Sequence, residues 1–233
     1  MKKIYNIIPK YSMVPLAVLI AFHLATFYLT RLVTDGMPHY DFSIPFDRII
    51  PFVPAFIVIY ILAYVQWGYG IYYLISHGRD VCFKFISATM IGEVICLLTF
   101  LFVPTALVGN VTRPEIVGND AFSWMTSVIY SLDEPNNLFP SLHCFASWMC
   151  FRGIFYIERE KRNRAYTVFS LVFSLLVFAS TVFVKQHVVV DIIGGVALVE
   201  AAILIEKLTK AHRVLYALDR RLFKNDADAG KEP

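Results

Sequence analysis

Residues 166–184 of the chain read YTVFSLVFSLLVFASTVFV and contain no charged side chain. A helix needs about 20 mostly apolar residues to cross the hydrocarbon core of a bilayer, so this stretch predicts a transmembrane helix. Working outward from it, five further apolar windows of similar length can be found. These windows cover residues 14–33, 52–75, 85–108, 138–157 and 188–205. The pattern predicts a polytopic membrane protein.

The overall composition agrees with this prediction. Of the 233 residues, 58% are apolar and 17% are charged, against roughly 45–50% and about 25% in soluble domains. Such a chain could not cover a water-facing surface without large apolar patches, which excludes a soluble, disordered, collagenous or nucleic-acid-binding protein. The net charge of +3 is too small to identify a partner. We predict an all-α fold with six transmembrane helices in one bundle.

The distribution of Lys and Arg predicts the orientation, because cytoplasmic loops retain basic residues. Most of these residues lie before the first window, between the second and third, between the fourth and fifth, and after the last. Both termini are therefore predicted to be cytoplasmic. We expect residues 1–208 to form a six-helix membrane catalytic domain and residues 209–233 a basic cytoplasmic tail. The first window is expected to be a retained helix, because it is long and no small-residue cleavage site follows it.

Two polar stretches interrupt the apolar pattern. Residues 139–143 read FPSLH, and residues 185–191 read KQHVVVD. His187 and Asp191 are four residues apart, so on one helix they share a face and the carboxylate can reach the imidazole. An Asp in this position fixes the tautomer of the ring and stabilises the cation that forms when the ring takes a proton.

The predicted orientation places five of these polar residues on the extracytoplasmic side: Arg113, Ser141, His143, Lys185 and His187. Arg113 offers a planar guanidinium that can bind phosphate oxygens, and Lys185 can add a second positive charge. Two cations, two histidines and an orienting carboxylate suit phosphoryl transfer, in which negative charge must be stabilised and the leaving oxygen protonated.

Two other kinds of site use the same residues. His143, His187 and Asp191 could bind zinc, but the neighbouring cations would repel a metal ion and would attract a phosphate. A serine hydrolase with Ser141 as nucleophile and His143 as base is disfavoured, because residues two apart do not face each other on a helix. The four cysteines lack metal-ligand spacing and are expected to be packing residues.

Two carboxylates fall inside apolar windows. Glu93 lies in the third window and Glu200 in the sixth. Intramembrane carboxylates are candidates for a functional role because burying a charge in lipid is costly. Either residue could line a polar path or pair with another helix.

The polar stretches resemble the motifs of the type 2 phosphatidic acid phosphatase superfamily, membrane enzymes whose three motifs surround one phosphate site. Residues 140–143 (PSLH) resemble its Pro-Ser-Gly-His motif, residues 180–191 its Ser-Arg…His…Asp motif, and residues 113–114 the Arg-Pro end of its first motif. The combination of FPSLH with the run from His187 to Gly195 is similar to the branch that contains inositol phosphorylceramide synthases.

The chain departs from the family pattern at three positions. The first-motif lysine falls on Ala106, the second-motif glycine is Leu142, and the third-motif arginine is Thr181. Two of the family's phosphate-binding cations are therefore replaced, and Lys185 can substitute for only one of them.

The resemblance implies a role for each matching residue. His187 would attack phosphorus, Asp191 would orient it, and His143 would protonate the departing alcohol. The phosphate would be held by Arg113, Ser141 and Lys185. No metal or other cofactor is implied.

The implied partners are a phosphorylated lipid substrate and membrane lipids, with no nucleic acid. Discharge of the phosphohistidine to water would make a phosphatase, and discharge to an alcohol would make a phosphotransferase. A third alternative is an inactive lipid-binding or transport protein, because two cations are replaced.

Overall fold

The computed structural model describes residues 8–109 and 111–222. Over these residues the chain is helical, without strands, and two isolated β-bridges join Tyr40 to Thr105 and Ala106 to Asn136. The helices are α1 (Lys10–Thr34), α2 (Pro45–Ile49), α3 (Ile57–Ser76), α4 (Arg79–Phe102), α5 (Ala121–Leu132), α6 (Leu142–Gly153), α7 (Arg164–Phe183), α8 (Val189–Thr209) and α9 (His212–Leu222). The predicted all-α class is confirmed. Lys2 and Lys3 of the N-terminal basic segment, and residues 223–233 of the tail, lie outside the described residues.

Four helices are long and apolar enough to cross a membrane: Lys10–Thr34, Pro54–Ser76, Arg79–Phe102 and Arg164–Phe183. They coincide with the first, second, third and fifth windows of the sequence. These four helices indicate an integral membrane protein. The six-span topology and the cytoplasmic position of both termini remain predictions.

The two polar windows differ from ordinary membrane helices. In the fourth, expected over residues 138–157, the α-helix α6 covers only 12 residues and a single 3₁₀ turn, Ile154–Tyr156, follows it. Pro140 cannot sit within a helix, and the Ser141 side chain accepts a hydrogen bond from the Cys144 N–H, so the helix begins after Ser141. The sixth window becomes the 21-residue α8, which carries Asp191, Glu200 and Glu206 along its length.

The centre of the bundle is occupied by α4 and α6. Helix α4 packs against α1, α3, α6, α8 and α9, while α6 packs against α3, α7 and α8. Close approach of α4 to α6 depends on Gly92, where an added Cβ would lie 2.3 Å from the Phe145 ring. This packing surrounds the short helix that begins at the FPSLH motif.

The first part of the predicted tail is a separate helix. Lys210 has a left-handed backbone conformation that ends α8, and α9 turns back against α4. Tyr216 contacts the Phe83 ring, and Asp219 pairs with Arg79 at 3.0 Å. The tail is therefore anchored to the bundle at least as far as Leu222.

Candidate active site

The start of α8 brings together His187 and Asp191. Oδ2 of Asp191 accepts the Val188 backbone N–H at 3.0 Å and lies 3.2 Å from Nδ1 of His187. The His187 N–H itself donates to the carbonyl of Thr181 at 3.1 Å. Asp191 is 1% exposed and His187 7%. The contact predicted from their spacing is present, and the carboxylate both caps the helix and fixes the imidazole.

The FPSLH motif lies directly against this helix start. The Ser141 N–H donates to the carbonyl of Asp191 at 3.1 Å. Gly195 permits this approach, because a Cβ there would lie 2.8 Å from the Ser141 carbonyl oxygen. Ser141 is fully buried and caps α6. The second and third motifs are thereby joined through backbone contacts.

His143 lies in the first turn of α6 within a group of aromatic rings. Tyr60 stacks on it at 4.2 Å between ring centroids, and the Trp67 ring is 5.2 Å away. The hydroxyls of Tyr60 and Tyr64 lie 3.4 Å from Nδ1 and Nε2, respectively. The centroid of the His187 ring is 5.9 Å away. The two histidines predicted to act together are therefore neighbours.

Both histidines line a cavity of about 170 Å³. Its walls come from α1, α3, α4, α6, the α5–α6 loop and the α7–α8 loop. On α1 the lining residues are His23, Leu24, Phe27, Tyr28 and Arg31; the remaining ones are Tyr64, Trp67, Phe100, Asp133, Asn136, Asn137, Leu138, Leu142, His143 and His187. Leu24, Tyr28 and Tyr64 are about half exposed, so the cavity borders the outer surface of the bundle between α1 and α3.

Arg113 lies elsewhere, between two loops. Its guanidinium donates to the carbonyls of Tyr130, at 3.3 Å, and Asp133, at 2.6 Å, and to the side-chain oxygen of Gln186. It also lies over the Tyr130 ring. Burial lowers the pKa of Arg113, and the nearby Asp133 carboxylate opposes that shift. Arg113 therefore ties the α5–α6 loop to the α7–α8 loop, and it is not among the cavity-lining residues.

Lys185 is likewise used in backbone contacts. Its Nζ donates to the carbonyls of Asp47, at 3.2 Å, and Ile50, at 2.5 Å. Burial lowers the pKa of Lys185, while the charge of Asp47 raises it. Asp47 also accepts the Val189 N–H at 2.8 Å, so α2 is fastened to the start of α8. Lys185 does not line the cavity.

Sequence reasoning missed two features of the cavity and left a third, the pairing of Glu93 with another helix, as an open alternative. Arg31 of α1 forms an ion pair with Asp133, and Asp133 also accepts the Tyr60 hydroxyl at 3.0 Å. Deeper in the bundle, Nδ1 of His23 lies 2.7 Å from Oε1 of Glu93. Arg31 lies within the first apolar window, residues 14–33, and nothing in the sequence links it to motifs over a hundred residues later.

The remaining candidates have structural partners. Glu200 pairs with Arg152 at 2.6 Å. The cysteines are buried and free, in keeping with packing residues: Cys82, Cys96, Cys144 and Cys150. Within residues 8–109 and 111–222, no three His, Cys, Asp or Glu side chains are grouped as metal ligands. The absence of a cofactor remains a prediction.

Comparison with known proteins identifies the family. The family model described as the PAP2 superfamily matches residues 85–212, more than half of the chain. This range contains both histidines and Asp191, whereas Arg31 lies outside it. No curated protein and no solved structure gives a significant match. The chain belongs to the PAP2 superfamily, the type 2 phosphatidic acid phosphatases, whose members are membrane phosphatases and phosphotransferases.

Proposed function

We propose that this protein is an integral membrane lipid phosphatase that hydrolyses a lipid phosphate ester at the extracytoplasmic face through a phosphohistidine intermediate. One observation carries the proposal. His143 and His187 line the same cavity with their imidazole centroids 5.9 Å apart, and Asp191 contacts His187 from the buried side. The two imidazoles are therefore near enough to reach one phosphoryl group bound in the cavity.

The first step forms a P–N bond and breaks a P–O bond. With its proton on Nδ1, His187 donates to Asp191 and presents the lone pair of Nε2 to phosphorus. Protonated His143 gives its proton to the oxygen of the departing lipid alcohol. In the second step water attacks phosphorus, the P–N bond breaks, and His143 takes a proton from the water. Inorganic phosphate leaves, and both histidines return to their starting states.

Arg113, Ser141 and Lys185 remain the proposed phosphate ligands from the family resemblance. For Arg113 and Lys185 this role requires a change, because both donate to backbone carbonyls. Ser141 accepts a backbone N–H with its oxygen, but it is fully buried and does not line the cavity, so its hydroxyl must also be uncovered before it can donate to a phosphate oxygen.

The rim of the cavity supports a lipid substrate. Tyr28 of α1 and Tyr64 of α3 are 58% and 50% exposed and flank the cavity from two helices that can cross a membrane. A phosphorylated lipid could place its head group near the histidines while its acyl chains remain in the bilayer.

The phosphatase proposal is tested with purified protein in vesicles that contain a ³²P-labelled lipid phosphate. The screen covers phosphatidic acid, phosphatidylglycerol phosphate and a polyprenyl pyrophosphate. Wild type is expected to release phosphate and to carry an acid-labile, base-stable label, as a P–N bond requires. His187→Ala should show neither signal. His77→Ala, whose imidazole bonds to the Tyr73 carbonyl outside the cavity, should keep both. Turnover at the wild-type rate by His187→Ala would refute the mechanism.

The second candidate function is phosphotransfer to an alcohol on another lipid, similar to inositol phosphorylceramide synthases. It is favoured by the His23–Glu93 pair, because His23 lines the same cavity and can accept a proton from an acceptor hydroxyl or donate one to it. The Glu93 carboxylate is buried, and its Oε2 has no hydrogen-bond partner in the described chain.

A labelled inositol phospholipid as donor, mixed with a sphingolipid as acceptor, tests transfer beside the phosphate-monoester assay. Free phosphate from the labelled monoester indicates hydrolysis, and a labelled sphingolipid phosphodiester formed from the labelled inositol phospholipid indicates transfer. In the case of transfer, His23→Ala should reduce phosphodiester formation more than phosphate release. Lipid binding without either product would instead support the inactive, lipid-binding alternative.

A further inference from the structure

Arg31 is the one Lys or Arg that lines the cavity of His143 and His187, among the residues that the structure describes. It lies near the end of α1, with its guanidinium over the Phe27 ring at 4.1 Å. Its side chain is only 15% exposed. A positive charge is thus held at the wall of the site, on a helix outside the residues matched by the family model.

The hydrogen bonds of Arg31 leave part of its guanidinium available. Within the described chain, the contacts to Asp133 and to the Glu134 carbonyl both use Nη2. Nη1 and Nε have no hydrogen-bond partner among the described residues, but each two-nitrogen edge of a guanidinium also includes Nη2, so a phosphate that binds two nitrogens must displace Asp133 from Nη2. A planar guanidinium binds two phosphate oxygens at once, which a lysine ammonium cannot do with the same geometry.

The position of Arg31 compensates for one of the replaced cations. Ala106, where the family places its first-motif lysine, forms a β-bridge with Asn136. Asn136 lies in the same α5–α6 loop as Asp133 and Glu134, the two partners of Arg31, and it lines the cavity. The Arg31 guanidinium and Ala106 therefore both contact the α5–α6 loop.

Asp133 has the properties of an internal counter-ion. Its carboxylate pairs with Arg31 and also lines the cavity. When a phosphate competes for the guanidinium, the Tyr60 hydroxyl can continue to donate to Asp133 Oδ2, so that the carboxylate keeps a hydrogen-bond partner. This limits the cost of separating the buried pair.

We propose that Arg31 is a phosphate-binding residue of this site and that Asp133 occupies its guanidinium until a phosphate group displaces it. The inference rests on the proposed function for the identity of the substrate, because the group bound would be the phosphate of the lipid. The chemistry recognised is a phosphate monoester or free inorganic phosphate.

Inorganic phosphate is the probe, and its binding is measured as the shift in the unfolding temperature of the purified full-length protein in detergent. Wild type should be stabilised in a saturable way. Arg31→Gln should weaken the apparent affinity by about 10- to 100-fold, the range for loss of a hydrogen bond to a charged group. The apparent phosphate affinity of Arg31→Lys should lie between those of wild type and Arg31→Gln. Asp133→Asn should bind phosphate more tightly than wild type, because the competing negative charge is removed.

Arg79→Gln is the matched control. Arg79 also pairs with an aspartate, Asp219 at 3.0 Å, and also lies over an aromatic ring, that of Tyr11, but it does not line the cavity. This variant should keep the wild-type phosphate affinity. The unfolding temperatures of Arg31→Gln and Arg79→Gln measured without phosphate show whether either substitution destabilises the fold, so a loss of folding can be told from a loss of phosphate binding.

The proposal is overturned if Arg31→Gln binds phosphate as wild type does, or if wild type shows no phosphate-dependent stabilisation. Glycerol 1-phosphate and short-chain phosphatidic acid repeat the measurement with a head-group phosphate, which distinguishes a lipid-derived ligand from the free ion. Failure of the proposed function would look different. In that case His187→Ala would retain turnover, while phosphate stabilisation would still depend on Arg31.

Discussion

The backbone N–H of Ser141 donates to the backbone carbonyl of Asp191 at 3.1 Å, which joins two segments 50 residues apart in sequence. This bond places the start of α6 against the first turn of α8. His143 and His187, one on each side of it, are thereby brought to the same cavity. The spacing of the two imidazoles depends on how closely these helix ends approach.

Gly195→Ala should therefore damage the site by moving the two helix ends apart. The new Cβ would lie 2.8 Å from the Ser141 carbonyl oxygen and 3.0 Å from Cys144 Cβ, and neither is a flexible side-chain end. We expect a loss of about 1–3 kcal/mol in the free energy of unfolding, typical of overpacking, together with reduced turnover. Thermal unfolding and phosphate release measure the two effects.

Gly68→Ala is the control for that substitution. Gly68 lies within α3, and an added Cβ there has no neighbour within 4 Å. Because Ala favours helix over Gly by about 1 kcal/mol, this variant should be as stable as wild type or more so. Equal stability and turnover of Gly195→Ala and Gly68→Ala would contradict the claim that the contact between α6 and α8 requires glycine at position 195.

Asp191→Asn should reduce kcat while leaving most of the fold intact. The amide oxygen can still accept the Val188 N–H, which Asp191 now accepts at 3.0 Å, so the helix cap is retained. The charge that fixes the His187 tautomer and stabilises its cation is lost. We expect a fall in kcat of roughly 100-fold with a smaller change in KM, measured by steady-state phosphate release. An unchanged kcat would show that the carboxylate serves only as a cap.

His143→Ala tests the proposed general acid. Loss of a positioned acid typically costs about 10²–10⁴-fold in rate when the leaving group needs a proton. Alkyl phosphate esters should therefore suffer most, and an aryl ester with a good leaving group should be affected least. Rates measured for a series of esters give the dependence on leaving-group pKa. Equal losses across the series would argue against proton donation by His143.

Arg113→Gln separates a structural role from a phosphate-binding role. The guanidinium donates to two loop carbonyls and to Gln186, so its loss leaves buried acceptors without a donor. We expect the free energy of unfolding to fall by about 1.5–3 kcal/mol. Arg164→Gln, at an exposed position at the start of α7, should have little effect. A raised KM with unchanged stability would instead indicate that Arg113 mainly binds phosphate.

The sequence was sufficient for the features that depend on local pattern. Uninterrupted apolar windows predicted the four long helices, because burying a backbone in lipid requires internal hydrogen bonds over about 20 residues. The spacing of His187 and Asp191 predicted their contact on the expectation of one shared helix face. In the structure α8 begins at Val189, and Asp191 reaches His187 from the first turn as it caps the helix. The motifs around His143 and His187 also indicated the family, which the family model confirms.

Local pattern did not locate where the helix of the fourth window begins. Residues 138–157 have enough apolar side chains for a span, but Pro140 and the Ser141 cap restrict α6 to Leu142–Gly153. Mean hydropathy carries no information about where the backbone hydrogen bonds of a helix must end.

Only the tertiary structure decided which cation lies beside the histidines. Arg113, Lys185 and Arg31 all lie at or near the end of an apolar window, and sequence alone does not rank them. Packing directs the first two to backbone carbonyls and brings Arg31 from α1 to the cavity wall, more than a hundred residues from its partner Asp133. Composition and motif spacing therefore determined the membrane setting and the pair of candidate histidines, while long-range helix packing determined which charge faces their cavity.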